Sequence, residues 1–87
     1  MNGQWQIVLH QSALQMLLSS RPRDREHLLR TMQNLLQDPY QKGSFVERGP
    51  DGRNYEIKVS GPFHVAFWLD AWDKEIRIVR IEKLTNR

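Results

Sequence analysis

A chain of 87 residues has room for one hydrophobic core and none for a second, so residues 1–87 are expected to form a single domain. Its 39% hydrophobic and 26% charged residues exclude a disordered tail, and the lack of cysteine excludes a disulfide framework or a thiolate zinc site. A formal charge of +3 and a pI near 9.7 favour an acidic partner such as nucleic acid without selecting one.

Trp5, Ile7 and Leu9 alternate with Gln6, which predicts a short first strand ending before His10. Ser12 offers a capping oxygen, and Ala13, Leu14, Met16, Leu17 and Leu18 recur three and four apart, so a helix is expected over residues 12–20. Pro22 suits a helical first turn, and Asp24 and Glu26 suit the positive end of the helix dipole. Leu28, Leu29, Met32, Leu35 and Leu36 then form one helical stripe that Asp38-Pro39 ends. Lys42-Gly43 and Arg48-Gly49-Pro50-Asp51-Gly52 are turn chemistry, with Phe45-Val46 a short strand or extended edge between them. From there the period is two: Tyr55, Ile57 and Val59 alternate with Glu56 and Lys58. After the turn Ser60-Gly61-Pro62, Phe63, Val65, Phe67 and Leu69 alternate with His64, Ala66 and Trp68. In the last strand Ile76, Ile78, Val79 and Ile81 switch parity, which predicts a bulge or burial on both faces. The fold class is α+β: an N-terminal strand, a helical hairpin, then an antiparallel sheet, in the order β-α-α-β-β-β, with the helices on one sheet face.

The longest apolar stretch, Phe63 to Leu69, is broken by His64 and is far shorter than the roughly 20 residues of a membrane-spanning helix. Met1 to Gln6 has no basic cluster leading into an apolar segment, so a cytoplasmic protein without a membrane partner is expected. His10 and His27 have no third ligand at recognisable spacing, and the glycines do not form a phosphate loop, so neither a metal nor a cofactor is expected.

This order of elements, Asp38-Pro39 after the second helix, and the run Gly52, Tyr55-Glu56-Ile57-Lys58-Val59, Ser60-Gly61-Pro62, Phe63-His64-Val65-Ala66-Phe67 together resemble the RelE/ParE superfamily of type II toxins. The resemblance covers nearly the whole chain. It implies a toxin neutralised by a cognate antitoxin, acting as a ribosome-dependent endonuclease on mRNA through attack of a ribose 2′-hydroxyl on the adjacent phosphate.

If the aromatic and aliphatic strand face meets the helices, Glu56, Lys58 and His64 look outward together. Lys58 matches a position usually basic in the family. His64 stands where many members carry arginine, exchanging a bidentate phosphate fork for a group that moves protons near neutrality. Arg80 is the third catalytic candidate, a cation for the phosphorane-like transition state. Glu56 departs from the family's basic pattern and reads either as a base or as the partner of a cross-strand salt bridge. Arg21, Arg23 and Arg25 at the helical hairpin, with Arg77 and Lys83 on the last strand, are the nucleic-acid-binding candidates. Phe63 and Phe67 are core candidates, whereas Trp68 and Trp72 read as edge cover or as base-stacking platforms. The last strand of active nucleases of the family often ends with a histidine, arginine or tyrosine near the site, and here no tyrosine or histidine follows position 64. That gap and Glu56 keep open an alternative: a ParE-like topoisomerase inhibitor or a catalytically weakened partner-binding module.

Overall fold

A computed structural model describes residues 4–84. The chain runs β1 (Gln6–Leu9), α1 (Gln11–Ser19), α2 (Pro22–Gln37), β2 (Phe45–Arg48), β3 (Asn54–Ser60), β4 (Phe63–Asp70) and β5 (Glu75–Lys83). The segment expected as a short strand or extended edge is thus a full strand, and the sheet has five strands in the order β1-β5-β4-β3-β2. β2 to β5 form the expected antiparallel array. β1 joins it parallel to β5, because the helical hairpin carries the chain over one sheet face between them.

The helices form where their apolar spacing places them. α1 buries Ala13 and Leu17, and α2 buries Leu28, Met32 and Leu35. These meet Phe63, Val65 and Phe67 of β4 and Ile76, Ile78 and Ile81 of β5 in one core, each large side chain contributing about 1.5–3 kcal/mol by leaving water. α1 starts at Gln11, so that its N-cap residue is His10 rather than Ser12, and it has no side-chain cap. Ser12 Oγ instead donates to Val79 O at 3.3 Å. Val79 is the extra residue of a bulge, since Ala66 pairs with Arg80 and Phe67 with Ile78. That bulge accounts for the parity switch: Ile76, Ile78 and Ile81 all face the helices, while Arg77 and Arg80 share the opposite face.

One expectation is overturned by the β3–β4 turn. Ser60 pairs directly with Phe63 across a two-residue turn, in which Gly61 has a φ of 58° and is followed by Pro62, the type II′ arrangement. Paired residues share a face, so Lys58 lies with Val65, and Glu56 with Phe67, on the helix side. Tyr55, Ile57 and Val59 lie with His64, Ala66 and Trp68 on the open side. Lys58 and His64 are therefore on opposite faces of the sheet, and β3 is turned over relative to the expected outward Glu56–Lys58–His64 set. Among the described residues no helix is long and apolar enough to cross a membrane.

Candidate functional site

The open face carries His64, Arg80, Arg77 and Trp68 on β4 and β5, flanked by Tyr55 of β3 and Phe45 and Glu47 of β2. Ile57 and Ala66 at its centre are 1% and 0% exposed although no helix covers them. Side chains that cross the strands roof them. The Phe45 ring meets the His64 ring edge-on at 5.3 Å, spanning β3. Arg80 reaches from β5 over β4 and β3 to Glu47 on β2, with Nη2 at 2.5 Å from Oε1.

Charge on this face is balanced internally. Arg80 Nε also lies 3.7 Å from Glu82. Arg77 contacts Glu75 at 2.6 Å and Asp70 at 3.5 Å, so the carboxylates of Asp70, Asp73 and Glu75, which cluster within 4.8 Å, already hold a cation. Arg53 pairs with Asp51 at 3.6 Å and lies 3.7 Å over the Trp68 ring, with Arg77 at 5.7 Å from the same ring. Trp68 thereby joins two arginines instead of offering an open stacking surface. Trp72, at the β4–β5 turn, is 94% exposed and covers no edge.

The remaining candidates lie elsewhere. Lys58 Nζ donates to Gln41 Oε1 at 2.6 Å, and Gln41 Nε2 donates to the carbonyls of Asn34 and Asp38 at the end of α2. Glu56 accepts the Gly43 N–H at 2.6 Å. Both side chains thus pin the loop after α2 onto β3, and the expected Glu56 salt bridge is absent among the described residues. Glu56, with Tyr40, Gln41 and Lys42, lines a cavity of about 430 Å³ whose walls include neither Lys58, His64 nor Arg80. Arg25 turns back on α1, donating to the carbonyls of Leu17, Leu18 and Ser20 at 3.4, 3.3 and 2.9 Å. Those contacts cap the C-terminal end of α1. Lys83 lies on the helix side and pairs with Asp24 at 3.3 Å, away from Arg77 and Arg80. Arg21 and Arg23 are exposed at the hairpin tip and have no ion pair among the described residues.

Of the three catalytic candidates, then, the fold brings His64 and Arg80 onto one face and removes Lys58. Glu47 and Phe45 are the residues that sequence reasoning missed. Their alternation on one face of β2 was the available signal, since Phe45 and Glu47 are two apart and each pairs with an open-face residue, Ile57 and Tyr55.

No protein-family sequence model matches this chain, and no curated protein sequence does. Solved structures do. The chain is similar to the protein in the archaeal RelE–RelB complex from Pyrococcus horikoshii OT3, with a TM-score of 0.75, 15% identity, and 97% of this chain and 99% of that one covered. The fold is RelE-like. The RelBE2 toxin–antitoxin complex from Mycobacterium tuberculosis matches with a TM-score of 0.75, 15% identity, and 92% and 98% covered. The isolated E. coli RelE toxin matches with a TM-score of 0.76, 14% identity, and 95% and 87% covered. The RelE-like scaffold therefore accounts for essentially every element described above.

Proposed function

We propose that this RelE-like chain is the toxin of a type II toxin–antitoxin pair, held silent by a cognate antitoxin and cleaving mRNA in the ribosome when released. The observation that carries the reading is the near full-length match to RelE, which is known both alone and bound to RelB. The open face supplies two of the groups such cleavage requires. His64 is a proton acceptor for a ribose 2′-hydroxyl, and the Arg80 guanidinium can take the charge that builds on the phosphate as the 2′-oxygen attacks phosphorus and the next 5′-oxygen leaves. Lys58, on the other face, is a loop-positioning residue in this scheme.

A second reading is favoured by a specific observation. The phenol on this face, Tyr55, already donates to Asp51 at 3.3 Å, and Arg80 is already engaged by Glu47, so neither a proton donor for the leaving oxygen nor an open cation stands ready. This supports a non-nucleolytic toxin or a partner-binding module.

Induced expression with and without the neighbouring reading frame, combined with mapping of mRNA 5′ ends, separates the readings. The endonuclease gives growth arrest, new ends at the ribosomal A site, and loss of both in His64→Ala and Arg80→Ala, with Lys58→Ala retaining them. Arrest with intact mRNA and damaged DNA assigns a topoisomerase target. Growth without arrest leaves a binding module.

A further inference from the structure

The bridge between Arg80 and Glu47 joins residues three strand positions apart. Neighbouring strands are spaced roughly 4.8 Å, so the two backbones are separated by about 14 Å, and both side chains must lie flat along the open face to meet. They do so over Ala66 and Ile57, and with the Phe45–His64 contact they cover those two residues on a face without helices. The pair is a strap across the surface where the proposed reaction would take place.

Its chemistry is that of a guanidinium holding an anion. Carboxylate and phosphate compete for the same guanidinium donors. Glu47 takes only Nη2 of the fork, at 2.5 Å. Arg80 Nε is shielded from solvent and has no hydrogen-bond partner among the described residues, Glu82 standing at 3.7 Å. A phosphate, with several acceptor oxygens, can serve Nε and Nη2 together, which the single Glu47 contact does not.

We infer that Glu47 is an internal phosphate mimic that holds Arg80 closed, and that a backbone phosphate of single-stranded RNA reaches Arg80 only by displacing it. This deepens the toxin reading and rests on it for the identity of the incoming anion. The strap is built to open: its side chains are 40% and 48% exposed, and ion pairs exposed to that degree are weak. Glu47 also sits on β2, an edge strand whose residues are all exposed, so its displacement leaves the core between the helices and the sheet in place.

The test compares single-stranded RNA binding by the wild-type chain, Glu47→Gln, Arg80→Ala, Glu47→Gln/Arg80→Ala and Asp38→Asn, the last making the same charge change at an exposed position after α2. Glu47→Gln is expected to bind about threefold to tenfold tighter than both wild type and Asp38→Asn, with the gain lost in the double variant. Equal binding by Glu47→Gln and Asp38→Asn, with Arg80→Ala weaker than wild type, would overturn the strap while leaving the RNA reading in place. A parallel titration with inorganic pyrophosphate, followed by the Arg80 Nε–Hε resonance, tests the strap without RNA. If no variant binds RNA but this resonance responds to pyrophosphate in Glu47→Gln and not in wild type, the RNA reading falls and the strap stands. An unresponsive resonance in both proteins overturns the strap.

Discussion

Arg25 stands at the junction of the two helices and donates to the carbonyls of Leu18 and Ser20 at the end of α1, and to that of Leu17, which also accepts the Ser20 N–H at 3.3 Å. α1 has only nine residues, too few to hold its own last turn by propensity. Arg25→Ala should therefore cost about 1–3 kcal/mol and lower the melting temperature by roughly 4–8 °C per kcal/mol, read by circular dichroism. An unchanged melting curve would return Arg25 to the solvent-exposed cations. Gly43 is a second residue whose role is contact. A Cβ there would lie 2.6 Å from Ile57 O and 2.8 Å from Ile57 N, and backbone atoms inside a sheet do not yield. Gly43→Ala should destabilise by about 1–3 kcal/mol through forced displacement of the loop, seen as a lower denaturant midpoint with an unchanged slope. Neither role was legible in the sequence. Arg25 sits among Arg21, Arg23 and Arg30 with nothing local to single it out, and Lys42-Gly43 reads as an ordinary turn whether or not a strand packs against it.

At the scale of elements, the alternation of β3 and of β4 was legible, but the phase of one against the other depends on turn length. A three-residue turn at Ser60-Gly61-Pro62 would pair Val59 with Phe63 and send Lys58 to the His64 face. The two-residue turn that forms pairs Ser60 with Phe63 and does the reverse. Ser60 is then buried, and its Oγ meets Thr31 Oγ1 of α2 at 2.5 Å. Thr31→Val removes that partner from a buried hydroxyl and should cost about 1–3 kcal/mol, with part recovered in Thr31→Val/Ser60→Ala. A double-mutant cycle in chemical denaturation measures the coupling, and strict additivity would refute it. The β2–β3 turn makes a pH-dependent counterpart. The Arg53 backbone N–H, at 3.0 Å from Asp51 Oδ1, holds the Asp51 carboxyl below its ordinary 3.8, aided by the Tyr55 hydroxyl and the Arg53 guanidinium. Since the folded value is the lower one, the contribution of this carboxylate is present above pH 3.8 and is lost as pH falls through the folded value. The Asp51 carboxyl ¹³C shift should titrate with a midpoint under 3.8, and Asp51→Asn should remove the acid-side change in the Tyr55 ring signals. A midpoint at or above the ordinary value would show that the turn does not hold the carboxylate. Tyr55 moves oppositely: burial and the Asp51 charge raise it above 10.0, so its contribution is present on the low side of that pH and disappears in stronger base.

Across the whole molecule, helices on one sheet face followed from element order, whereas the parallel seat of β1 beside β5 did not, because pairing between distant strands is set by how the helical hairpin packs. The same packing separates charge in a way that a formal +3 conceals. On the open face Arg53, Arg77 and Arg80 are each met by carboxylates. At the hairpin tip Arg30 pairs with Glu26 and Lys83 with Asp24, but Arg21 and Arg23 stand in solvent without ion pairs among the described residues. Lys83 at the end of β5 touches α2 near its start, so the hairpin tip lies at the opposite end of β5 from Lys74 in the β4–β5 turn. If ribosomal RNA is contacted through this tip, each arginine that neutralises a phosphate contributes about 0.7–0.9 to the slope of log affinity against log salt. The variant Arg21→Ala/Arg23→Ala should therefore flatten the salt dependence of ribosome binding by about 1.4–1.8. Lys74→Gln, a charge change at the far end, should leave that slope as it is. Equal slopes for the double variant and wild type would remove the hairpin tip from the interface and assign the salt-sensitive affinity to another surface. A flattened slope that is matched by Lys74→Gln would show that only bulk charge matters. The predicted pattern, a change at one end and none at the other, requires a defined docking of the hairpin tip on phosphate, an orientation that would leave the open sheet face with His64 and Arg80 free to meet the message.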